Sequence, residues 1–163
     1  MKIKERKLSL EPHFDSTTPC LKVAFATLDR QSVDQHFGTA KCMMIFAISV
    51  SERHVVRAVE YNDAANATHD KLPVRIEDLQ DCDAVYCNAC GASAIRQLLE
   101  KSVQPIKVAS KTPISTLIEE VQDMLAHPTT GWVAKALQRF GALEPNSQQH
   151  STSRLEQLME EDW

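Results

Sequence analysis

The sequence contains no apolar run that approaches the roughly 20 residues of a membrane span. Glycine is scarce, with four residues in 163, and no glycine-rich loop that would cradle a phosphate is present. Lysine and arginine form no stripe interleaved with aromatic residues, and the net charge is −4, so nucleic acid is not expected as the main partner. The basic segment 1–7 is followed by no apolar signal-peptide core, which favours a cytoplasmic protein.

Cysteine usage is the next informative feature, because five cysteines are an odd number and one pair is close together. The chain is long enough for one ordinary domain, and its 43% hydrophobic content indicates a globular core. Cys20, Cys42 and Cys82 lie in or beside apolar stretches, so they are predicted to be small buried hydrophobes. Cys87 and Cys90 are therefore the cysteines with a candidate functional role.

Hydrophobic periodicity predicts an α/β fold. Strands are predicted at 21–27, 42–50, 54–61, 84–86 and 105–109, and helices at 71–80, 92–100, from 113 onward and at 132–140. The three early strands are joined by short connections and should pair antiparallel, whereas the later strands, separated by helices, should be parallel. The prediction is a mixed sheet with three strands, then helix, strand, helix, strand and helix.

The domain organisation follows from the same pattern. Residues 1–20 lack periodicity and are predicted to be a flexible leader, and residues 21–140 form the α/β domain. Residues 141–163 are predicted to be a polar linker and tail, whose last ten residues have the pattern of a frayed helix.

The Cys-x-x-Cys pair lies where an apolar strand passes into a helix. Unpaired N–H groups and the helix dipole at that junction favour a thiolate, which binds metal or attacks a disulfide. A closed zinc site needs four ligands, and the sequence has no second cysteine pair and no His-x3-5-His; a four-cysteine iron–sulfur site is equally unsupported. An incomplete metal site, a redox dithiol and a purely structural pair remain open.

The loop after the first strand contains a second candidate, His36. Phe37 is expected to anchor this loop in the core, and Gly38 to provide a backbone turn that a side chain would forbid. Neutral imidazole suits both iron and zinc. Ligands of such sheets usually lie beyond the strand C-termini, where both this loop and the cysteine turn should be found.

Charged residues near that edge suggest two further hypotheses. Four cations that would suit an anionic ligand are Lys41, Arg75, Arg96 and Lys107. Asp29 and Asp34 follow the first strand, where a metal-dependent nuclease places carboxylates, but no third acidic residue lies at a convincing position.

These motifs together resemble a known family. Residues 33–40, Val-Asp-Gln-His-Phe-Gly-Thr-Ala, are similar to the His-Phe-Gly-x-Ala motif of the dinitrogenase iron–molybdenum cofactor biosynthesis family, and residues 86–99 and 103–108 resemble its second half. The resemblance covers about residues 21–140. It implies a ribonuclease H-like fold and a carrier without catalytic turnover, which binds iron–sulfur precursors of the nitrogenase cofactor and passes them between cluster donor and scaffold proteins.

The family histidine maps onto His36, which the resemblance implies as the cluster contact; the cysteine pair is not uniform in the family. The predicted cofactor-binding residues are His36, Phe37, Gly38, Cys87, Cys90 and Arg96. The predicted metal ligands among them are His36, Cys87 and Cys90. Two alternatives remain: a cytoplasmic thiol–disulfide oxidoreductase that uses the cysteine pair, although the Trp-Cys-Gly-Pro-Cys pattern is missing, and the equivalent carrier for a vanadium nitrogenase.

Overall fold

The computed structural model describes residues 7–9, 18–61, 72–128 and 131–138. The strands are β1 (Lys7–Ser9), β2 (Leu21–Ala26), β3 (Ser32–Val33), β4 (Cys42–Ile48), β5 (Arg53–Glu60), β6 (Ala84–Cys87), β7 (Gln104–Lys107) and β8 (Thr112–Pro113). The helices are α1 (Leu72–Asp78), α2 (Ala92–Glu100), α3 (Ile114–Ala126) and α4 (Gly131–Gln138), with a 3₁₀ turn at Phe37–Thr39. No helix in these ranges is long and apolar enough to cross a membrane.

The central sheet has six strands in the order β1-β5-β4-β2-β6-β7. β1, β5, β4 and β2 pair antiparallel with their neighbours, whereas β2–β6 and β6–β7 pair parallel. The α/β class and the mixed sheet are therefore confirmed, including the change from antiparallel to parallel pairing once helices separate the strands. β3 and β8 form a separate two-stranded sheet.

The sheet separates two hydrophobic cores, because successive side chains of a strand point to opposite faces. Ala24 and Ala26 of β2 face a core that includes residues of α1 and α2. Val23 and Phe25 face the core of α3 and α4, where the Phe25 ring stacks on Tyr86 with centroids 5.3 Å apart. Helices cover both faces of the sheet. The loops that follow β2 and β6 therefore lie at the edge formed by the C-terminal ends of these strands.

The α3 helix shows how closely periodicity predicted the core. The expected inward positions are all buried: Ile114, Leu117, Ile118, Val121 and Leu125. The helix begins directly after Pro113, whose fixed φ suits the position before the first helical turn. α2 spans the predicted residues 92–100.

Several short elements were not predicted. Lys7–Ser9, in the segment interpreted as a flexible leader, form edge strand β1 against β5. β3 and β8 have two residues each and pair across about 80 positions of sequence, so neither has a period that local pattern can detect. The predicted tail at 141–163 lies outside the described residues, and the domain boundaries stay a prediction.

Candidate functional site

The His36 loop and the cysteine turn lie side by side at the C-terminal edge of β2 and β6. The backbone N–H of Asn88 donates to the carbonyl of Gln35, and the N–H of Phe37 donates to the carbonyl of Ala89, both at 2.9 Å. These two hydrogen bonds flank His36 on either side. The expected meeting of the two motifs is what the structure shows.

Asn88 is a site residue that sequence reasoning missed. Its side-chain Nδ2 donates to the carbonyl of Val33 at 2.9 Å and to the carbonyl of Val108 at 3.2 Å. Together with its backbone bond to Gln35, this amide joins the His36 loop, the cysteine turn and the loop after β7. The available signal was a polar amide between two cysteines at an apolar strand end.

We expect Asn88→Asp to destabilise this edge. The substitution replaces an NH₂ donor by a carboxylate oxygen that faces two carbonyl oxygens, so two hydrogen bonds are lost and repulsion is added. The free energy of unfolding should fall by about 2 kcal/mol in urea denaturation. Gln97→Glu is the control, because Gln97 donates to the Ser93 hydroxyl on the exposed side of α2 and its loss should cost less than about 0.5 kcal/mol. Equal losses in the two variants would contradict the bridging role of Asn88.

Phe37 anchors the loop as predicted, whereas the reason expected for Gly38 is wrong. Phe37 is fully buried in the core on the α1 and α2 side. Gly38 lies in the 3₁₀ turn without a left-handed φ, and a Cβ added there would meet nothing within 4 Å. Gly91, at the start of α2, has the same open surroundings. Both glycines therefore leave open space beside the backbone.

The His36 side chain is exposed at the beginning of the 3₁₀ turn. Its backbone is extended, with φ −73° and ψ 147°, and its side chain makes no capping hydrogen bond to the turn. The backbone on either side of His36 is thus held by hydrogen bonds, while the His36 imidazole takes no part in capping the turn.

The two thiols of the cysteine turn have different surroundings. Cys87 is fully buried, and Cys90 is half-buried. A hydrogen bond between them raises the pKa of Cys87, together with burial, and lowers the pKa of Cys90 against the opposing effect of partial burial. Of the two thiols, Cys90 is therefore the more acidic.

The predicted ligand set does not form a ready-made metal centre. Within the residues described, no group of three or more histidine, cysteine or acidic side chains is arranged to hold a metal ion. The physical reason is that Cys87 packs into the core, whereas the His36 imidazole faces solvent. Of the three predicted ligands, His36 is exposed, Cys90 is half-buried and Cys87 is fully buried.

The four predicted cations do not form one patch. Lys41 follows the His36 turn, and Lys107 pairs in register with Cys87 at the end of β7; both are exposed at the site edge. Arg96 is exposed on α2 between buried Ala94 and Leu98, so it lies on the side of the helix away from the sheet. The fourth cation is unavailable to a surface anion, because Arg75 is only 1% exposed.

The carboxylates of the loop are occupied by local hydrogen bonds. Asp29 accepts from the backbone N–H of Gln31 and from the N–H and hydroxyl of Ser32, and these bonds lower its pKa to about 2. Asp34 accepts from the N–H of Leu28 at 2.7 Å. These contacts shape the loop, and they give no support to a nuclease-type carboxylate site.

Comparison with known proteins identifies the family. The profile of the dinitrogenase iron-molybdenum cofactor family matches residues 19–124, a segment that contains both the His36 loop and the cysteine turn. This chain belongs to the dinitrogenase iron–molybdenum cofactor family. The resemblance inferred from the two motifs is confirmed.

Individual relatives agree with the family match. The chain is 45% identical to NifX of Azotobacter vinelandii over 120 residues, which cover 73% of this chain and 76% of that protein. It is 31% identical to NifX of Herbaspirillum seropedicae over 121 residues, which cover 73% of this chain and 83% of that protein. The crystal structure of PH0822 matches with a TM-score of 0.51 at 23% identity, over 63% of this chain and 89% of that one, which shows a shared fold alone.

Proposed function

We propose that this protein is a non-catalytic carrier that binds an iron–sulfur precursor of the nitrogenase iron–molybdenum cofactor as transient cargo. It passes that cargo from a cluster donor to a scaffold protein. The observation that carries the proposal is the pair of hydrogen bonds that set exposed His36 beside the turn of Cys90. Membership of the cofactor family supplies the chemical class of the cargo.

The donor atoms suit a cluster that must be both held and released. An imidazole nitrogen and a thiolate sulfur are ligands that iron accepts readily. Two accessible donors leave most of a cluster uncovered, unlike a closed cage of four thiolates. Open backbone at Gly38 and Gly91 leaves room for bulky cargo, and the local charges of Lys41 and Lys107 suit an anionic one.

Cys87 supports this chemistry from inside the core. A thiol must lose its proton before it ligates a metal, so a lowered pKa makes binding less dependent on proton release. The hydrogen bond from Cys87 lowers the pKa of Cys90 in this way. We therefore propose His36 and Cys90 as the cargo ligands, with Cys87 as the hydrogen-bond donor. Arg96, which is exposed on α2, stays a predicted contact.

The proposal also covers the fold class, the cellular location and the choice between a carrier and an oxidoreductase. The antiparallel strands β2, β4 and β5, followed along the chain by the parallel strands β6 and β7, support a ribonuclease H-like classification of the sheet. The free cysteines and a thiolate ligand favour the reducing cytoplasm. The family match favours a carrier over the thiol–disulfide oxidoreductase that the cysteine spacing left open.

The test is an anaerobic titration of the purified protein with an isolated iron–sulfur precursor of the nitrogenase cofactor. Gel filtration with iron counting and visible absorbance then measures the cargo that co-elutes. We expect His36→Ala to lower the affinity at least about tenfold, because one of two accessible ligands is lost. His127→Ala is the matched control, since this exposed histidine directly follows the last residue of α3 and belongs to neither the His36 loop nor the cysteine turn.

Each outcome of the titration has a defined meaning. Iron missing from the peak of folded wild-type protein would contradict the carrier function. Equal iron in wild type and His36→Ala would remove His36 from the site and leave the carrier function standing. Loss of iron in His127→Ala as well would show that the effect is not specific to the site edge.

A further inference from the structure

A buried arginine contacts the turn that presents His36. Arg75 of α1 is 1% exposed and is among the largest fully buried side chains of the described chain. Its Nε and Nη2 both donate to the carbonyl of Ala40, at 3.2 and 2.7 Å. A buried charge is costly unless it is well hydrogen-bonded, so this contact calls for an explanation beyond the filling of space.

The carbonyl that Arg75 holds belongs to the end of the 3₁₀ turn. The N–H of Ala40 donates to the carbonyl of Phe37 at 3.4 Å and closes that turn. The other end is held where the N–H of Phe37 donates to Ala89. The turn that starts at His36 is thus held at one end by the cysteine turn and at the other by Arg75.

The guanidinium is itself held in place by its neighbours. Arg75 Cζ lies 4.2 Å from the centroid of the Tyr61 ring, a cation–π geometry that favours an arginine over a neutral side chain. The Tyr61 hydroxyl donates to Asp78 at the end of α1, at 3.0 Å. α1, the end of β5 and the His36 turn are therefore linked through one side chain.

We propose that Arg75 is a positioning residue for the cargo site, which fixes the Ala40 carbonyl and thereby the orientation of His36 beside Cys90. This inference rests on the proposed carrier function. Two donors of a planar guanidinium on one oxygen define an orientation that a single ammonium cannot. The sequence suggested Arg75 as a surface cation for an anionic ligand; its burial gives it an effect through geometry instead.

The test compares Arg75→Met, which keeps the bulk and removes every donor, with Arg75→Lys, which keeps one donor group. Arg57→Met is the control: Arg57 donates to the Asp78 carbonyl and to the Asp81 carboxylate, so its loss perturbs the end of α1 without touching Ala40. Three quantities are measured: the melting temperature, the NMR shifts of the His36 ring in cargo-free protein, and the rate at which an iron chelator strips the loaded precursor.

We expect Arg75→Met to shift or broaden the His36 resonances and to release cargo at least about tenfold faster. Arg75→Lys should recover part of both effects. Arg57→Met should lower the melting temperature but leave the His36 resonances and the rate of cargo release unchanged. Wild-type His36 shifts and release rate in folded Arg75→Met would overturn the inference, and if that variant does not fold, the same result in Arg75→Lys would do so. If wild type binds no precursor, the carrier function fails, while the His36 shifts still test the positioning role.

Discussion

Replacement of Phe37 by alanine is expected to lower the free energy of unfolding by about 3–5 kcal/mol. The ring is fully buried between the sheet and the helices α1 and α2, so its removal combines the lost transfer free energy with the cost of a cavity. The residue follows His36 directly, so the same change should also loosen the presentation of the imidazole. Urea denaturation followed by circular dichroism measures the stability, and precursor titration measures the binding.

Two control variants separate the anchoring role from a general effect of mutation. Phe37→Leu retains most of the apolar volume and should lose less than half as much stability as Phe37→Ala. Leu28→Ala changes a side chain of the same loop that is 54% exposed, so the stability should change by less than about 0.5 kcal/mol. A near-neutral Phe37→Ala would mean that the loop is not anchored through this ring.

The second large effect is a difference in reactivity between the two thiols of the cysteine turn. Iodoacetamide at neutral pH should alkylate Cys90 about a hundredfold or more faster than Cys87, because the thiolate is the reactive form. The pKa of Cys90 is lowered by the hydrogen bond from Cys87, whereas that hydrogen bond and burial raise the pKa of Cys87. Burial also raises the pKa of Cys82, so this thiol should stay unreactive in folded protein.

The pH dependence of alkylation follows from the direction of these shifts. The Cys90 rate should rise with pH and level off at a lower pH than that of an ordinary cysteine, because the pKa of Cys90 is lowered. Cys87→Ala removes the donor and should raise the pKa of Cys90, so that the plateau moves to higher pH, whereas Cys87→Ser retains a hydroxyl donor and should move it less. Mass spectrometry of the alkylated peptides locates the label. Alkylation of Cys87 before Cys90, or an unchanged profile in Cys87→Ala, would refute the assignment.

Under the proposed carrier function, these properties suit transfer of the cargo rather than its storage. An exposed imidazole on an anchored turn can be exchanged for a ligand of a partner protein without unfolding of the carrier. Half-buried Cys90, whose pKa is lowered, is the second donor in the proposed site. Asn88 and Arg75 donate to backbone carbonyls of the segments around this site, those of Val33 and Ala40.

Local pattern predicted the long elements well. The bounds of α2 and the buried face of α3 agree with the periodicity of their apolar residues, because each of these helices contains at least two turns with a repeated apolar position. β3 and β8 were missed, since Ser32 pairs with Pro113 and two-residue strands exist only through such pairing. The edge strand Lys7–Ser9 was missed for the same reason.

Some features of the candidate site were predicted from the sequence, whereas others depended on the tertiary structure. His36, Phe37 and the cysteine pair were recognisable from residue type, spacing and their place after predicted strands, and these motifs were enough to identify the family. Which cation is buried, which thiol ionises and which amide joins the loops depended on the folded chain. Arg75 lies 35 positions from the carbonyl that it holds, and Asn88 lies 55 positions from Val33. Burial and hydrogen-bond partners at such separations leave no trace in local sequence, because they arise only when the sheet brings distant segments to one edge.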